Sequence, residues 1–332
     1  MQYESASPGA LSVFGTPVAL IPWPDTVGMV PGATATFFSG TVIESGDVPD
    51  ADGFLARELA DELSSATGGS WHAARGAWQG VVRLALDEAA APRSYTLDVR
   101  DGGIAITGGD LEGLRYGVQT LRQMLRQCGG VLPIVRIKDA PQYAVRGYYL
   151  DVTRGRVPTL DWLKRWACEL ELCKYNQLHL YIEHSFAFQG LSEAWRGLDP
   201  LTAEQIMAFD AFCVERGIEL VPSVSTFGHL YAVLRTQGLR HLGEFPEDAD
   251  RPFSFIERQE HHTLNILLDE SFKLSTSMID QYLPLFRSRK FNIGADETFD
   301  LGRGRSHGEA ERIGVGRMYA RYVNRLCAYL AD

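Results

Sequence analysis

The residues best suited to chemistry are an acidic pair, Asp296-Glu297, that directly follows the short apolar run 291–295. In a parallel α/β protein, catalytic side chains collect at the carboxyl ends of the strands. Two adjacent carboxyls repel each other's charge, so their pKa values separate and one can stay protonated while the other is ionised. General acid–base cleavage of a glycosidic bond needs this combination. The structural alternative is a solvated acidic loop, which is the commoner role of a bare Asp-Glu dipeptide.

Four short apolar segments, each followed by a helix-like segment, predict repeated βα units and therefore a parallel sheet covered by helices. The predicted strands are 147–152, 177–182, 218–224 and 291–295. The polar residues that follow them are Asp151 and Arg154, Glu183 and His184, Thr226 and His229, and Asp296 and Glu297. Because the carboxyl ends of parallel strands lie at one edge of the sheet, these groups are expected to converge on one functional face.

Each candidate also has a structural interpretation. Asp151 can simply pair with Arg154, and His229 can be a hydrogen-bonded loop histidine. Arg146, which precedes the first predicted strand, can pair with a surface acid. It is the convergence of several such groups on one face that favours a functional interpretation.

The segment around Glu183-His184 could suggest a metal site. On a strand, His179 and Glu183 share a face but His184 does not, and the helical i, i+4 spacing of zinc proteases is absent. We therefore predict no metal ion and no other cofactor. A metal-dependent barrel hydrolase that uses His184, His229 and Asp296 stays an alternative.

Composition narrows the range of partners. The 332 residues are 45% apolar and 22% charged, as in an ordinary globular protein, with a net charge of −10. A strongly acidic chain is a poor ligand for nucleic acid or anionic membranes, so neither is expected as a partner.

No run approaches the ~20 apolar residues of a membrane span, and the N-terminus lacks a secretory signal pattern. Five cysteines without C-x-x-C spacing favour a reducing, cytoplasmic location.

The chain has two differently patterned parts. Residues 1–139 contain strand-like segments and one clear helix, which Asp110 can cap and Gly129-Gly130 can end. This part is predicted to be a small α+β domain. Residues 140–332 carry the four βα units, fewer residues than the ~250 of a complete (β/α)8 barrel.

Four motifs together resemble family 20 glycoside hydrolases, the β-N-acetylhexosaminidases. They are Arg-Gly-Tyr-Tyr-Leu-Asp-Val-Thr-Arg at 146–154, Asn-Gln-Leu-His-Leu-Tyr at 176–181, Gly-Ile-Glu-Leu-Val-Pro at 217–222 with Gly-His at 228–229, and Asn-Ile-Gly-Ala-Asp-Glu at 292–297. Their order and spacing match that family, and residues 95–125 resemble the small domain that precedes its catalytic barrel. The resemblance implies an α+β domain at 1–139 and the first half of a TIM-type (β/α)8 barrel at 140–332.

The resemblance also implies an activity, the removal of terminal non-reducing β-linked N-acetylhexosamine (GlcNAc or GalNAc) from oligosaccharides. In that family the sugar's own 2-acetamido oxygen attacks the anomeric carbon, so no protein nucleophile is needed. Glu297 matches the family's general acid/base, and Asp296 matches the residue that accepts the acetamido N–H. Arg146 matches an arginine of the family that binds sugar hydroxyls. His229 matches a histidine that lies near the general acid, and Glu183 occupies a position that is often acidic in the family.

In the family, the aromatic residues that wall the acetamido pocket come from the second half of the barrel. The resemblance therefore implies a chain that is part of a longer protein and that alone has weak or no activity. A non-catalytic carbohydrate-binding or assembly half-barrel is the alternative from a different functional class. The sequence leaves a homodimer open in either case.

Overall fold

The computed structural model describes residues 2–50, 53–76 and 80–331. The chain forms two compact units. The N-terminal unit comprises Met1–Arg146 and Cys168–Asn176, and the C-terminal unit comprises Gly147–Ala167 and Gln177–Asp332. The division at residue 139 that the sequence suggests stays a prediction. Among the described helices, none has the length and apolar character needed to cross a membrane.

The N-terminal unit is built on a mixed sheet with two helices. Its strands are β1 (Glu4–Ser5), β2 (Ser12–Val13), β3 (Thr16–Pro17), β4 (Thr26–Thr36), β5 (Gly40–Glu44), β6 (Trp71–Arg75), β7 (Val82–Leu86), β8 (Tyr95–Arg100), β9 (Gly103–Gly108) and β10 (Val131–Asp139), and its helices are α1 (Phe54–Thr67) and α2 (Leu111–Cys128). Within the described residues, eight strands pair in the order β1-β4-β10-β8-β9-β7-β5-β6, and β2 pairs with β3.

Local sequence signals account for this unit. In β8, Tyr95, Leu97 and Val99 are buried while the residues between them are more exposed, as the period of a strand requires. Helix α2 begins at Asp110, whose side chain accepts a hydrogen bond from the backbone N–H of Gly113 at 2.8 Å. The small α+β domain expected from the sequence is confirmed.

Glu44, at the end of β5, is an acidic residue inside the core of this unit. Its side chain is fully buried, and Arg75 Nε lies 3.6 Å from its Oε1. Burial, with the neighbouring Asp50 carboxylate adding to it, raises the pKa of Glu44 to about 7. The carboxyl therefore holds its proton over a pH range in which it would be ionised in the unfolded chain.

We expect Glu44→Gln to stabilise the protein at neutral pH. The unfolded carboxyl releases its proton near pH 4.5 and the folded one near pH 7, so wild-type stability falls as pH rises through this interval. Glutamine mimics the protonated form at every pH and removes that loss, which is on the order of 2–3 kcal/mol. The free energy of unfolding in urea, measured at pH 5 and pH 8, should show a larger advantage of the variant at pH 8 than at pH 5. Glu88→Gln, at an exposed position of the same unit, is the control; equal pH sensitivity in wild type and Glu44→Gln would refute the prediction.

The C-terminal unit alternates strands and helices. Its strands are β11 (Gly147–Asp151), β12 (Gln177–Ile182) and β13 (Glu219–Val224). Its helices are α3 (Leu160–Leu172, of which the last residues belong to the N-terminal unit), α4 (Ser192–Trp195), α5 (Ala203–Glu215), α6 (Tyr231–Leu234), α7 (Phe255–Glu260), α8 (Asp269–Tyr282), α9 (His307–Ile313) and α10 (Val315–Ala331), with 3-10 turns at Arg240–Leu242 and Leu283–Leu285.

The strands of this unit form a parallel sheet in the order β11-β12-β13. The register pairs Gly147 with Gln177 and Gln177 with Glu219, so the carboxyl ends lie at one edge. This arrangement and the intervening helices confirm the predicted α/β class. Helix α5 begins with a capping box, since Thr202 and Gln205 exchange side-chain and backbone hydrogen bonds.

The prediction of a fourth strand at 291–295 is largely wrong. Only Asn292 makes a bridge, parallel to Ser223, and its N–H and C=O bond to Pro222 and Val224. The backbone then turns at Gly294, whose φ is +51°. A Cβ there would lie 2.7 Å from the carbonyl oxygen of Val224. The segment thus keeps the parallel direction and position of a fourth strand, but it bends before a second bridge can form.

Candidate active site

Two loops bring the acidic pair next to a histidine. The loop after β13 is tied to the Asn292 segment by Thr226, whose N–H and Oγ1 both donate to the carbonyl of Ile293, at 3.2 and 2.6 Å. Gly228 in this loop packs against the backbone of the pair, because a Cβ at Gly228 would lie 2.7 Å from the carbonyl oxygen of Asp296. A residue without a side chain is therefore needed for this close approach.

His229 is the buried centre of the cluster. Only 3% of its surface is exposed, whereas the side chains of Asp296 and Glu297 are about half exposed. His229 Nε2 lies 3.1 Å from Glu297 Oε2 and 3.6 Å from Asp296 Oδ2, without the direction of a formed hydrogen bond. The structure therefore brings three of the five predicted site residues into one group.

The backbone at this cluster is strained on both sides. His229 has φ +55° and Glu297 has φ +48°, in the left-handed region that side-chain-bearing residues seldom adopt. Each such residue costs about 1–2 kcal/mol, and the conformation persists only where the surrounding structure imposes it. Strain of this kind is concentrated at functional sites, and here it aims the two side chains at each other.

The electrostatics of the cluster keep Asp296 ionised. The His229 ring beside it lowers the pKa of Asp296, and the more distant Arg154 guanidinium contributes in the same direction. Asp296 is accordingly the carboxyl that stays ionised. The Glu297 side chain is about half exposed, so its carboxyl is accessible to a bound molecule.

Glu183 is linked to the cluster through Tyr181. The Tyr181 hydroxyl donates to Glu183 Oε1 at 2.8 Å, and the Tyr181 ring meets the His229 ring edge to face at 6.3 Å. Arg154 Nη2 donates to the same hydroxyl at 3.0 Å and lies 3.4 Å from Glu183 Oε1. Burial and the Glu183 charge raise the pKa of Tyr181, so its hydroxyl keeps its proton as the donor in this network.

Tyr181 and Arg154 also belong to the site. The sequence shows Tyr181 only as part of a strand motif. It shows Arg154 as one of the polar residues expected on the functional face, with Asp151 as a possible partner, and that pairing forms through Nη1 at 3.3 Å. The period of a strand could have found Tyr181, since residues 179, 181 and 183 share one face. The contact of Arg154 with Glu183 spans 29 residues and had no local signal.

Arg146 is not part of this cluster. Its guanidinium donates to the carbonyls of Tyr143 and Lys174 at 2.7 and 2.9 Å, contacts the Tyr116 hydroxyl, and lies 3.6 Å from Glu112. All of these partners belong to the N-terminal unit. The physical reason is that Arg146 precedes β11, whereas the other candidates follow their strands. Its predicted role in binding sugar hydroxyls stays a prediction.

Among the described residues, His229, Asp296 and Glu297 are the group whose spacing could hold a cation, with one ligand atom of each within 4.8 Å of the others. His184 does not belong to it, since its Nδ1 lies 3.6 Å from Glu183 Oε2 instead. The structure therefore does not bring His184, His229 and Asp296 together, as the metal-dependent hydrolase would need.

Comparison with known proteins decides the family. Residues 18–140 match the model of glycosyl hydrolase family 20, domain 2, and residues 143–308 match that of the glycosyl hydrolase family 20 catalytic domain. The chain belongs to glycosyl hydrolase family 20. The family and the fold class expected from the motifs are thereby confirmed, and neither the non-catalytic module nor the metal-dependent hydrolase is favoured.

Individual relatives of this family 20 chain agree with that assignment. It is 28% identical over 244 residues to a beta-hexosaminidase of Vibrio furnissii, covering 65% of this chain and 38% of the relative. It is 30% identical over 245 residues to a beta-N-acetylhexosaminidase of Cellulomonas fimi, covering 67% and 48%. The solved Streptomyces plicatus N-acetyl-beta-hexosaminidase in complex with Thio-NAglucal aligns with a TM-score of 0.72 and 26% identity, covering 91% of this chain and 64% of that one. The chain thus spans less than half of these two curated relatives.

Proposed function

We propose that the protein is a β-N-acetylhexosaminidase that removes terminal non-reducing β-linked N-acetylhexosamine from oligosaccharides by a substrate-assisted, retaining mechanism. The observation that carries the proposal is the placement of Asp296 and Glu297 side by side against buried His229, with the pKa of Asp296 lowered. The hexosaminidase names of the curated relatives support the same activity.

The two carboxyls have different tasks in this mechanism. Glu297 protonates the leaving glycosidic oxygen as the bond to the anomeric carbon breaks. It later takes a proton from the water that attacks the anomeric carbon and displaces the acetamido oxygen. Asp296, kept ionised, accepts the acetamido N–H and stabilises the positive charge that develops on the substrate's ring. The acetamido oxygen forms the new bond to the anomeric carbon, so that adjacent Asp and Glu suffice without a protein nucleophile.

The substrate-assisted mechanism can be tested by removing or altering the 2-acetamido group of the substrate. We expect an aryl β-N-acetylglucosaminide to be hydrolysed more than about 10³-fold faster than the matching aryl β-glucoside, because only the former carries the internal nucleophile. Replacing the acetyl hydrogens by one, two and three fluorines weakens that oxygen as a nucleophile, so kcat/KM should fall at each step.

The matching aryl α-N-acetylglucosaminide, which has the wrong anomeric configuration, is the control and should not react. Equal hydrolysis of the β-glucoside, or rates independent of fluorine substitution, would contradict the substrate-assisted mechanism.

A further inference from the structure

Tyr319 of α10 contacts both loops that form the acidic cluster. Its hydroxyl donates to the carbonyl of Ala295 at 3.0 Å, on the loop that carries the acidic pair. Its ring stacks on the ring of Phe227, with the centroids 5.7 Å and the planes 25° apart, on the loop that carries His229. One side chain outside the cluster is therefore linked to both of its halves.

The hydrogen bond to Ala295 restrains the peptide group that leads into the first acid. The carbonyl of Ala295 and the N–H of Asp296 belong to one planar peptide unit, so a donor on that carbonyl limits the rotation of the whole unit. Thr226 holds the same segment earlier, at the carbonyl of Ile293. The Tyr319 hydroxyl acts two residues further along, on the unit next to the acid.

Helix α10 is a firm support for this contact. Met318, Tyr322 and Leu326 are buried at a spacing of four residues, so one face of the helix packs against the C-terminal unit. The Tyr322 hydroxyl and Ser275 Oγ are 2.7 Å apart, and Ser275 Oγ donates to the carbonyl of Thr226 at 2.7 Å. The helix is thus anchored to the loop after β13 by a buried hydrogen-bond network.

The cluster needs restraint because its backbone is strained. His229 and Glu297 have φ values of +55° and +48°, and such conformations persist only where the surrounding structure imposes them. The side chains of Asp296 and Glu297 are about half exposed, so their own packing supplies little of that restraint. It must come from contacts elsewhere on the two loops, and Tyr319 makes one with each loop.

We propose that Tyr319 is a positioning residue for the reaction, which holds the Asp296 carboxylate where it meets the substrate's acetamido N–H. The proposal rests on the proposed function, because the acetamido group defines the geometry that Tyr319 preserves. Tyr319 touches no reacting atom in this scheme and acts through the peptide unit that leads into Asp296. A misplacement of about 1 Å near a reacting group can cost about 10²-fold in rate, so a residue of this kind affects catalysis without contacting the substrate.

Tyr319→Phe tests the hydroxyl alone, because phenylalanine keeps the ring that stacks on Phe227. We expect kcat for an aryl β-N-acetylglucosaminide to fall about three- to tenfold with little change in KM, a loss that corresponds to one hydrogen bond. The dissociation constant of a thiazoline that mimics the cyclised intermediate should rise by a similar factor, while that of product GlcNAc stays unchanged. Equal weakening of both ligands would overturn the proposal.

Tyr329→Phe is the matched control. Tyr329 lies on the same helix, is as exposed as Tyr319, and donates from its hydroxyl to the Asp280 carboxylate at 2.7 and 2.9 Å. The two tyrosines are about 15 Å apart along the helix axis, so Tyr329 supports α10 at a distance from the cluster. Its variant should keep the wild-type kcat and thiazoline affinity, and an equal loss in both variants would overturn the proposal.

A double-mutant cycle with Asp296→Asn identifies the residue through which Tyr319 acts. If the hydroxyl works through the Asp296 carboxylate, Tyr319→Phe should cost little in the Asp296→Asn background, so the two losses in kcat/KM do not add. Fully additive losses would overturn the proposal while the hydrolase function stands.

If the wild-type chain cleaves no substrate, the proposed function fails for this chain, and the backbone of the cluster decides the role of Tyr319. The ¹⁵N relaxation order parameters of Asp296 and Glu297 should then fall in Tyr319→Phe and keep the wild-type values in Tyr329→Phe. Unchanged order parameters in Tyr319→Phe would overturn the positioning role.

Discussion

Glu297→Gln is expected to reduce kcat/KM for a GlcNAc-terminated oligosaccharide by about 10²–10⁴-fold, the range that a positioned general acid contributes. A sugar leaving group is a strong base and needs protonation as the glycosidic bond breaks, and the glutamine amide is too weak an acid to supply that proton. The change keeps the size and shape of the side chain that faces His229 Nε2 at 3.1 Å. The loss should therefore reflect the missing proton rather than a collapsed site.

A series of aryl β-N-acetylglucosaminides with leaving groups of decreasing pKa distinguishes the loss of the acid's proton from a collapse of the site. Wild type should show a shallow dependence of kcat/KM on leaving-group pKa, and Glu297→Gln a steep one that approaches wild type for 2,4-dinitrophenol. Glu311→Gln, on the exposed face of α9, is the control and should behave as wild type. A uniform loss across the series would assign Glu297 a structural role instead of the acid role.

Asp296→Asn is expected to reduce kcat/KM by about 10²–10³-fold, comparable to removing one preorganised partner of a developing charge. His229 holds the pKa of Asp296 below its ordinary value of 3.8, so the wild-type carboxylate is ionised throughout the pH range above that value. Asparagine can still accept the acetamido N–H but cannot offset the positive charge on the substrate. The loss should therefore appear at every pH and leave the acidic limb of the pH profile unmoved.

A thiazoline that mimics the cyclised intermediate tests the same residue by binding. Its dissociation constant should rise in Asp296→Asn by nearly the factor lost from kcat/KM, while product GlcNAc should bind almost as in wild type. Asp161→Asn, at an exposed position of the first turn of α3, is the matched control. Equal weakening of thiazoline and GlcNAc would show that Asp296 positions the sugar in general rather than stabilising the charged intermediate.

Elements with local signals are those that the sequence predicts well. The predicted second strand, 177–182, is confirmed as Gln177–Ile182, and helix α2 begins at Asp110 as its capping position predicts. Strand period and helix caps depend on residues within a few positions of each other, so they can be inferred without the fold. The fourth strand was overestimated because its apolar residues indicate burial, whereas the turn at Gly294 depends on the neighbouring backbone of Val224.

The candidate site also has features that the sequence predicts and features that only the fold creates. The sequence by itself determined the family, the acidic pair Asp296-Glu297 and its position after a strand, because motif and spacing are properties of the chain. Only the tertiary structure decided that buried His229, 68 residues away from Glu297, lies against both acids, and that Arg146 is engaged by other partners. Such contacts depend on loop conformations that long-range packing imposes, and no local pattern records them.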